Sequence, residues 1–148
     1  MHEHFEHKAD VGIRGVGKSL NEAFEECAIA LTGIMIDSNS VMPKKSHVIN
    51  LSGTDGGALL VSFLNELLFL KDTKKMIYSK FRVKIGKESV VDAAGNTKEV
   101  VTLKATIFGE KINHNKHKVK VDAKAATYSE LFVGEKNGQF IAQCIVDV

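Results

Sequence analysis

Apolar residues recur along this chain at two intervals, and the interval changes near Met76. Upstream, Leu20, Ala23, Phe24, Cys27, Ala28, Leu31, Ile34 and Met35 follow at three- and four-residue spacing, which lays them along one face of a helix. Ser19-Leu20-Asn21-Glu22 opens that run as a capping box, in which the serine and the glutamate satisfy orphan amides reciprocally. Asp37-Ser38-Asn39-Ser40 and Pro43 end it. "TDGGALLVSFLNELLFLKDTKK" (54–75) predicts a second helix capped near Thr54. It is apolar on most sides, so it should be the better buried of the two.

Elsewhere the period is two. "HEHFEHK" and "DVGIRGV" predict two short polar strands, and "SHVINLSG" (46–53) predicts a third. From Met76, "MIYSKFRVKIGKESVV", "KEVVTLKATIFGE", "HKVKVDAKAATY", "SELFVGEKN" and "GQFIAQCIVDV" alternate, with turns at Ala94-Gly95-Asn96 and Lys136-Asn137-Gly138. The expected architecture is a two-layer α+β fold with two main helices packed on one face of a mostly antiparallel sheet. At 148 residues, 1–148 reads as one domain.

Composition narrows the partners. The chain is 44% hydrophobic and 26% charged, with 20 basic against 18 acidic residues and a net charge of +2. That balance argues against a protein whose affinity comes from broad phosphate neutralisation. A local strip remains: "HNKHKVKV" (114–121) would set Lys116, Lys118 and Lys120 on one strand face beside His114 and His117. Such a ridge could contact phosphate, or it could be a solvated sheet face. Cys27 and Cys144 form no C-x-x-C and read as buried free thiols. "MHEHFEHK" has no apolar signal core, and "ALLVSFLNELLFL" (58–70) is too short to span a bilayer, so a cytoplasmic location without membrane contact is expected.

"GIRGVGKS" matches G-x-x-x-x-G-K-S, with Gly12, Gly17, Lys18 and Ser19 where a phosphate-binding loop needs them. Such a loop follows a buried parallel strand, and "HEHFEHKAD" is charged where that strand would be apolar. Asp147 is the good candidate for a magnesium-holding acid, and it leaves no room for later strand–helix units. The capping box accounts for Ser19 without a ligand. Nucleotide binding through Gly12–Ser19 stands as the alternative reading.

Several stretches together resemble the archease family. "FEHKADVGIRGVGKSLNEAFEECAIALTGIM" is similar to its N-terminal block, with a His-x-Ala-Asp element before a glycine and a helix near Glu-Ala-Phe. "FLNELLFLKDT" (63–73) resembles its Leu-Asn-Glu-Leu helix, "GEKINHNKHKVKVDAKAATY" its Gly-Glu…His…Lys-Ala-x-Thr-Tyr segment, and "IVDV" its acidic end. The blocks run in family order over nearly the whole chain. Lys8, Phe63, Asp122 and Ser129 depart from the threonine, tryptophan, glutamate and histidine usual there.

The resemblance implies a small non-catalytic protein that assists an RtcB-type RNA ligase, which uses GTP and manganese to join RNA ends in tRNA splicing and RNA repair. It implies promotion of ligase guanylylation and repeated turnover, with RNA reached through the ligase. It also implies a divalent ion, commonly calcium, with Asp10, Asp147 and Val148 at the ligand positions. Two carboxylates and a terminal carboxylate suit a hard ion such as calcium, magnesium or manganese. Asp10 and Asp147 read without the resemblance are solvated acids at strand ends.

The other candidates are weaker. His2 and His4 would share a strand face with His7 on the other, as metal ligands or as a solvated terminus. His7 belongs to the His-x-Ala-Asp element and would orient that loop. Glu66 within "LNELL" is either a partner contact or a paired structural acid. Lys124 in "AKAATY" could serve the acidic edge or a partner surface, on the resemblance. No nucleophile–base pair stands out, so three readings compete: an accessory activator, a nucleotide-binding enzyme, and a small RNA-binding or chaperone-like module.

Overall fold

In the computed structural model, which describes residues 1–7 and 10–148 with Glu6 and His7 as backbone alone, Ser19 caps the first helix, α1 (Leu20–Met35), as its sequence requires. The Ser19 hydroxyl accepts from the Glu22 amide at 3.1 Å. The helix buries Ala23, Phe24, Cys27, Ala28, Leu31, Ile34 and Met35, the stripe set by the spacing of its apolar residues. The second helix, α2 (Gly56–Lys74), is capped one residue later than expected, by Asp55, whose carboxylate accepts from the Ala58 amide at 2.8 Å. It ends on Lys75 in the left-handed conformation (φ 56°).

The strands are β1 (His2–His7), β2 (Asp10–Gly17), β3 (Lys45–Gly53), β4 (Met76–Val91), β5 (Thr97–Lys111), β6 (Ala125–Ala126), β7 (Phe132–Lys136) and β8 (Gln139–Asp147). All their pairings are antiparallel. They divide into two sheets. One runs β1-β2-β8-β6 with β7 also on β8, and the other runs β3-β5-β4. The turns at Gly95 (φ 85°) and at Asn137-Gly138 (φ 55° and 80°) close the β4–β5 and β7–β8 hairpins where expected.

Both helices pack against the two sheets. The core joins Ile13, Ala142, Cys144 and Val146 of the first sheet to Ile49, Phe81, Val83, Leu103 and Ile107 of the second through the helix stripes. Phe63 is fully buried at its centre, 6.4 Å from the Phe24 ring and edge-on to Phe81 at 6.5 Å. Helix α1 also finishes the exposed edge of β4. Asn21 accepts from the Ile85 amide at 2.9 Å and Glu25 from the Val83 amide at 2.8 Å, which blunts that edge against further pairing.

Two expectations fail. Residues 117–124, read as a strand, are irregular, and only Ala125–Ala126 of that stretch pairs. The alternation there reflects anchoring side chains, not a ladder: His117 and Ala123 are buried while Lys118, Val119 and Lys120 are exposed. The strand expected over the N-terminus forms and pairs with β2, but the terminus is not a free solvated one: His4 Nε2 donates to the Ala30 carbonyl at 2.9 Å. His2 meets Glu26 at 3.2 Å, one helical turn earlier, so the two histidines fasten β1 to α1. The expected role of the His7 side chain and the departure at Lys8 lie outside the described residues.

Candidate functional site

The Gly-rich motif is the first site tested by this architecture. Gly12 lies inside β2 between β1 and β8, and Gly17 ends the strand paired with Phe140 of β8, so the stretch from Gly12 to Gly17 is a ladder strand and among the described residues forms no phosphate-cradling loop. The glycines have a packing reason. A Cβ at Gly12 would collide with the Phe5 ring, and one at Gly15 with the Ala23 carbonyl and Cys27 backbone of α1. The second approach lets α1 lie tightly on the sheet, and the first makes room for the Phe5 ring. The nucleotide-binding alternative is thereby removed.

Asp10 and the residues that follow Val146 meet at one end of the β2–β8 ladder. The β2–β8 ladder begins at the Val11–Val146 pair, so Asp10 and Asp147 are the next residues on adjacent antiparallel strands. Directly opposed residues point to the same face, here the one that also carries the opposed pair Arg14 and Gln143. On the far side of β8, Ala125 pairs with Asp147, and the Lys124 amide donates to the Asp147 carbonyl at 2.8 Å. Asp10 is half-buried, Asp147 exposed, and Val148 half-buried against the core. Two like charges facing each other on neighbouring strands repel. Among the described residues no three His, Cys, Asp or Glu side chains converge, so the acidic side chains here are those of Asp10 and Asp147, with backbone carbonyls beside them. Oxygen donors alone fit calcium, magnesium or manganese.

The segment leading into this edge is held by side chains that the periodicity did not single out. Asn65 of α2 imitates a strand partner: its amide accepts from the Ala126 N–H at 2.8 Å and donates to the Ala126 carbonyl at 3.2 Å. One face further on, the nearly buried Lys71 donates to Asp122 at 2.7 Å and to the Ala123 carbonyl at 3.0 Å. The Lys71 hydrogen bond and charge hold the Asp122 carboxyl below its ordinary range. Polar residues inside the apolar α2 pattern were the available signal for this anchoring. Glu66, beside Asn65, is half-buried.

At the other end of the segment, Glu110 gathers three donors on one oxygen, Oε2. They are the Met42 amide (2.7 Å), Lys116 Nζ (2.7 Å) and His117 Nε2 (3.0 Å). The Asn113 amide donates to His117 Nδ1 at 3.0 Å, so the proton of this buried imidazole sits on Nε2 and points at Glu110. The Lys116 hydrogen bond, then the Met42 amide, push the Glu110 carboxyl down to about 2 against the opposing effect of burial. The expected lysine ridge does not form. Lys116 is engaged with Glu110, and Lys120 donates to the Gly33 carbonyl at 3.1 Å. Both cysteines are buried free thiols.

The model of the Archease protein family (MTH1598/TM1083) matches residues 2–148. The chain belongs to the archease family. Protein archease of Pyrococcus abyssi (strain GE5 / Orsay) is 39% identical over 99% of this chain and 97% of its own length. That of Sulfurisphaera tokodaii is 36% identical, with the same coverage of both. Among solved structures, Methanobacterium thermoautotrophicum Protein 1598 superposes with a TM-score of 0.76 at 26% identity, over 99% of this chain and 98% of that one. The archease resemblance and the helix-on-sheet fold expected from sequence are thus both borne out. Among the described residues no helix is long and apolar enough to cross a membrane.

Proposed function

We propose that this chain is an accessory activator of a GTP-dependent RtcB-type RNA ligase in tRNA splicing and RNA repair. It promotes guanylylation of the ligase and repeated turnover, contributes no catalytic group, and in this role reaches RNA through the ligase without needing a hold of its own. Family membership supports this reading, and the observation that carries it is the opposition of Asp10 and Asp147 at the end of the β2–β8 ladder. Asp10, Asp147 and Val148 would hold a divalent ion, calcium or else magnesium or manganese. When bound, that ion supplies a fixed positive centre that offsets the facing carboxylates. Lys71 and Asn65 of α2 keep the 122–126 segment against β8, so the edge presents one shape to a partner. Activation then consists of favouring the ligase conformation competent for guanylylation.

The test is a ligation assay with the ligase limiting. Adding this protein raises the number of turnovers, and Asp147→Ala removes the gain while leaving the fold intact by circular dichroism. A gain undiminished in Asp147→Ala and Asp10→Ala sinks the proposed role of the edge. Titration calorimetry of the same variants with calcium reports separately on the ion.

A further inference from the structure

The outer face of the three-stranded sheet carries a pattern that the acidic edge does not explain. Period two places Lys80, Arg82 and Lys84 of β4 on this face, all exposed. Pairing with β5 sets Lys80 opposite Phe108, Arg82 opposite Thr106 and Lys84 opposite the exposed Lys104. Lys80 Nζ and the Arg82 guanidinium lie over the half-buried Phe108 ring, at 5.4 and 5.5 Å from its centroid. Among the described residues none of these four cations forms a salt bridge. Glu88 is the acid at the far end of the face, and Glu110 at the near end is taken up by Lys116 and His117. Beside Lys84 and Lys104, Gly86 leaves a shallow open groove bordered by Asn50, Ser52 and Thr102.

A lysine directly opposite a lysine destabilises a strand pair. Here Lys84 and Lys104 face each other, and among the described residues no acid forms a salt bridge with either, Glu88 at the far end of the groove included. We infer that this face binds single-stranded RNA directly, its phosphates on Lys80, Arg82, Lys84 and Lys104 and a base against Phe108 and the Arg82 guanidinium. Cations on alternate residues of β4 repeat at about 6.6 Å, close to the interval between successive phosphates of an extended single strand. An aromatic face and a planar guanidinium among evenly spaced cations form a stacking platform with an electrostatic track. A folded acidic partner would need a packed apolar centre, and beside the four cations the face offers Val48 and the half-buried Phe108, with Val90 set apart towards the far end of β4. This contact goes beyond the activator reading, which needs no direct hold on RNA.

The probe is a fluorescein-labelled, unstructured RNA of about 15 nucleotides, followed by anisotropy with no ligase present. Between about 50 and 200 mM salt, four phosphate contacts give a slope of log K against log salt of about −2.8. Lys84→Gln/Lys104→Gln removes a repulsion, so it should fold at least as well as the parent. It should lower affinity about tenfold or more and cut the slope to about −1.4. Lys18→Gln/Lys136→Gln makes the same charge change away from this face, in the turn after β2 and at the end of β7, and should bind nearly as the parent does. Phe108→Leu should weaken binding about fivefold with the slope unchanged. Equal losses in the two lysine pairs, no binding by the parent, or a preference for duplex of the same length would each overturn the inference. Binding only to an acidic partner protein would do so as well. Because no ligase is used, these outcomes are separate from those that bear on activation.

Discussion

Replacing Glu110 by glutamine, and separately by alanine, probes the anchor of the segment that reaches the Asp147 edge. Its side chain is 11% exposed and takes three donors on one oxygen. The carboxyl is lowered from 4.5 to about 2, first by the Lys116 hydrogen bond. At about 1.36 kcal/mol per unit, this corresponds to at most about 3 kcal/mol favouring the ionised folded state. Lys116 is itself 38% exposed, so solvent screening reduces that to about 1.5–3 kcal/mol. The sign follows from a folded value below the unfolded one. The stabilisation is complete above 4.5 and is lost as pH falls through that value towards 2. Urea unfolding followed by circular dichroism should therefore find Glu110→Gln weaker by about 1.5–3 kcal/mol near neutral pH. The gap should close as both proteins are taken into acid. Glu110→Ala should lose about 3 kcal/mol or more, because the Met42 amide and the His117 ring are left without an acceptor. At about 2–4 °C per kcal/mol for a chain of this length, the alanine variant melts roughly 6–12 °C lower. A glutamine variant within about 0.5 kcal/mol of the parent at neutral pH, or a gap that does not shrink in acid, refutes the reasoning.

Three further outcomes are expected. In thermal melts, calcium at about a hundredfold over its dissociation constant should add about 2.7 kcal/mol relative to chelator. Asp147→Asn should abolish that gain while melting higher than the parent in chelator, and a calcium response retained by Asp147→Asn counts against the site. Gly15→Ala drives a methyl into the backbone of α1 at Ala23 and Cys27, and should cost about 1–3 kcal/mol or more in urea unfolding; an unchanged midpoint would contradict the close packing. Burial raises both thiols, Cys144 to about 12, so an alkylating reagent should modify Cys27 and Cys144 only as fast as the protein opens. Rapid labelling of the native protein would show that one of them is accessible.

The features legible in the chain are those whose cause is local. Ser19 caps α1 because a hydroxyl can reach an amide three residues on, and Asn137-Gly138 turns because those residues tolerate positive φ. The same locality misled at 117–124. There His117 and Ala123 are buried by Glu110 and α2 rather than by a strand partner, and period two cannot tell these apart. It also misled at "GIRGVGKS", where glycines needed for close packing spell a phosphate loop.

By itself, then, the sequence determined two helices with their caps, most of the strands and hairpin turns, and the family resemblance. It determined which face of each element is apolar, because side-chain direction follows from backbone period alone. Only the tertiary structure decided that the strands divide into two sheets, that β8 lies against β2, and that Asp10 and Asp147 come to adjacent strand ends. Periodicity gives a strand's inward side but not its neighbour. The choice of neighbour is made when the helix stripes, the Phe24–Phe63–Phe81 cluster and the polar anchors at Asn65, Lys71 and Glu110 are all satisfied together.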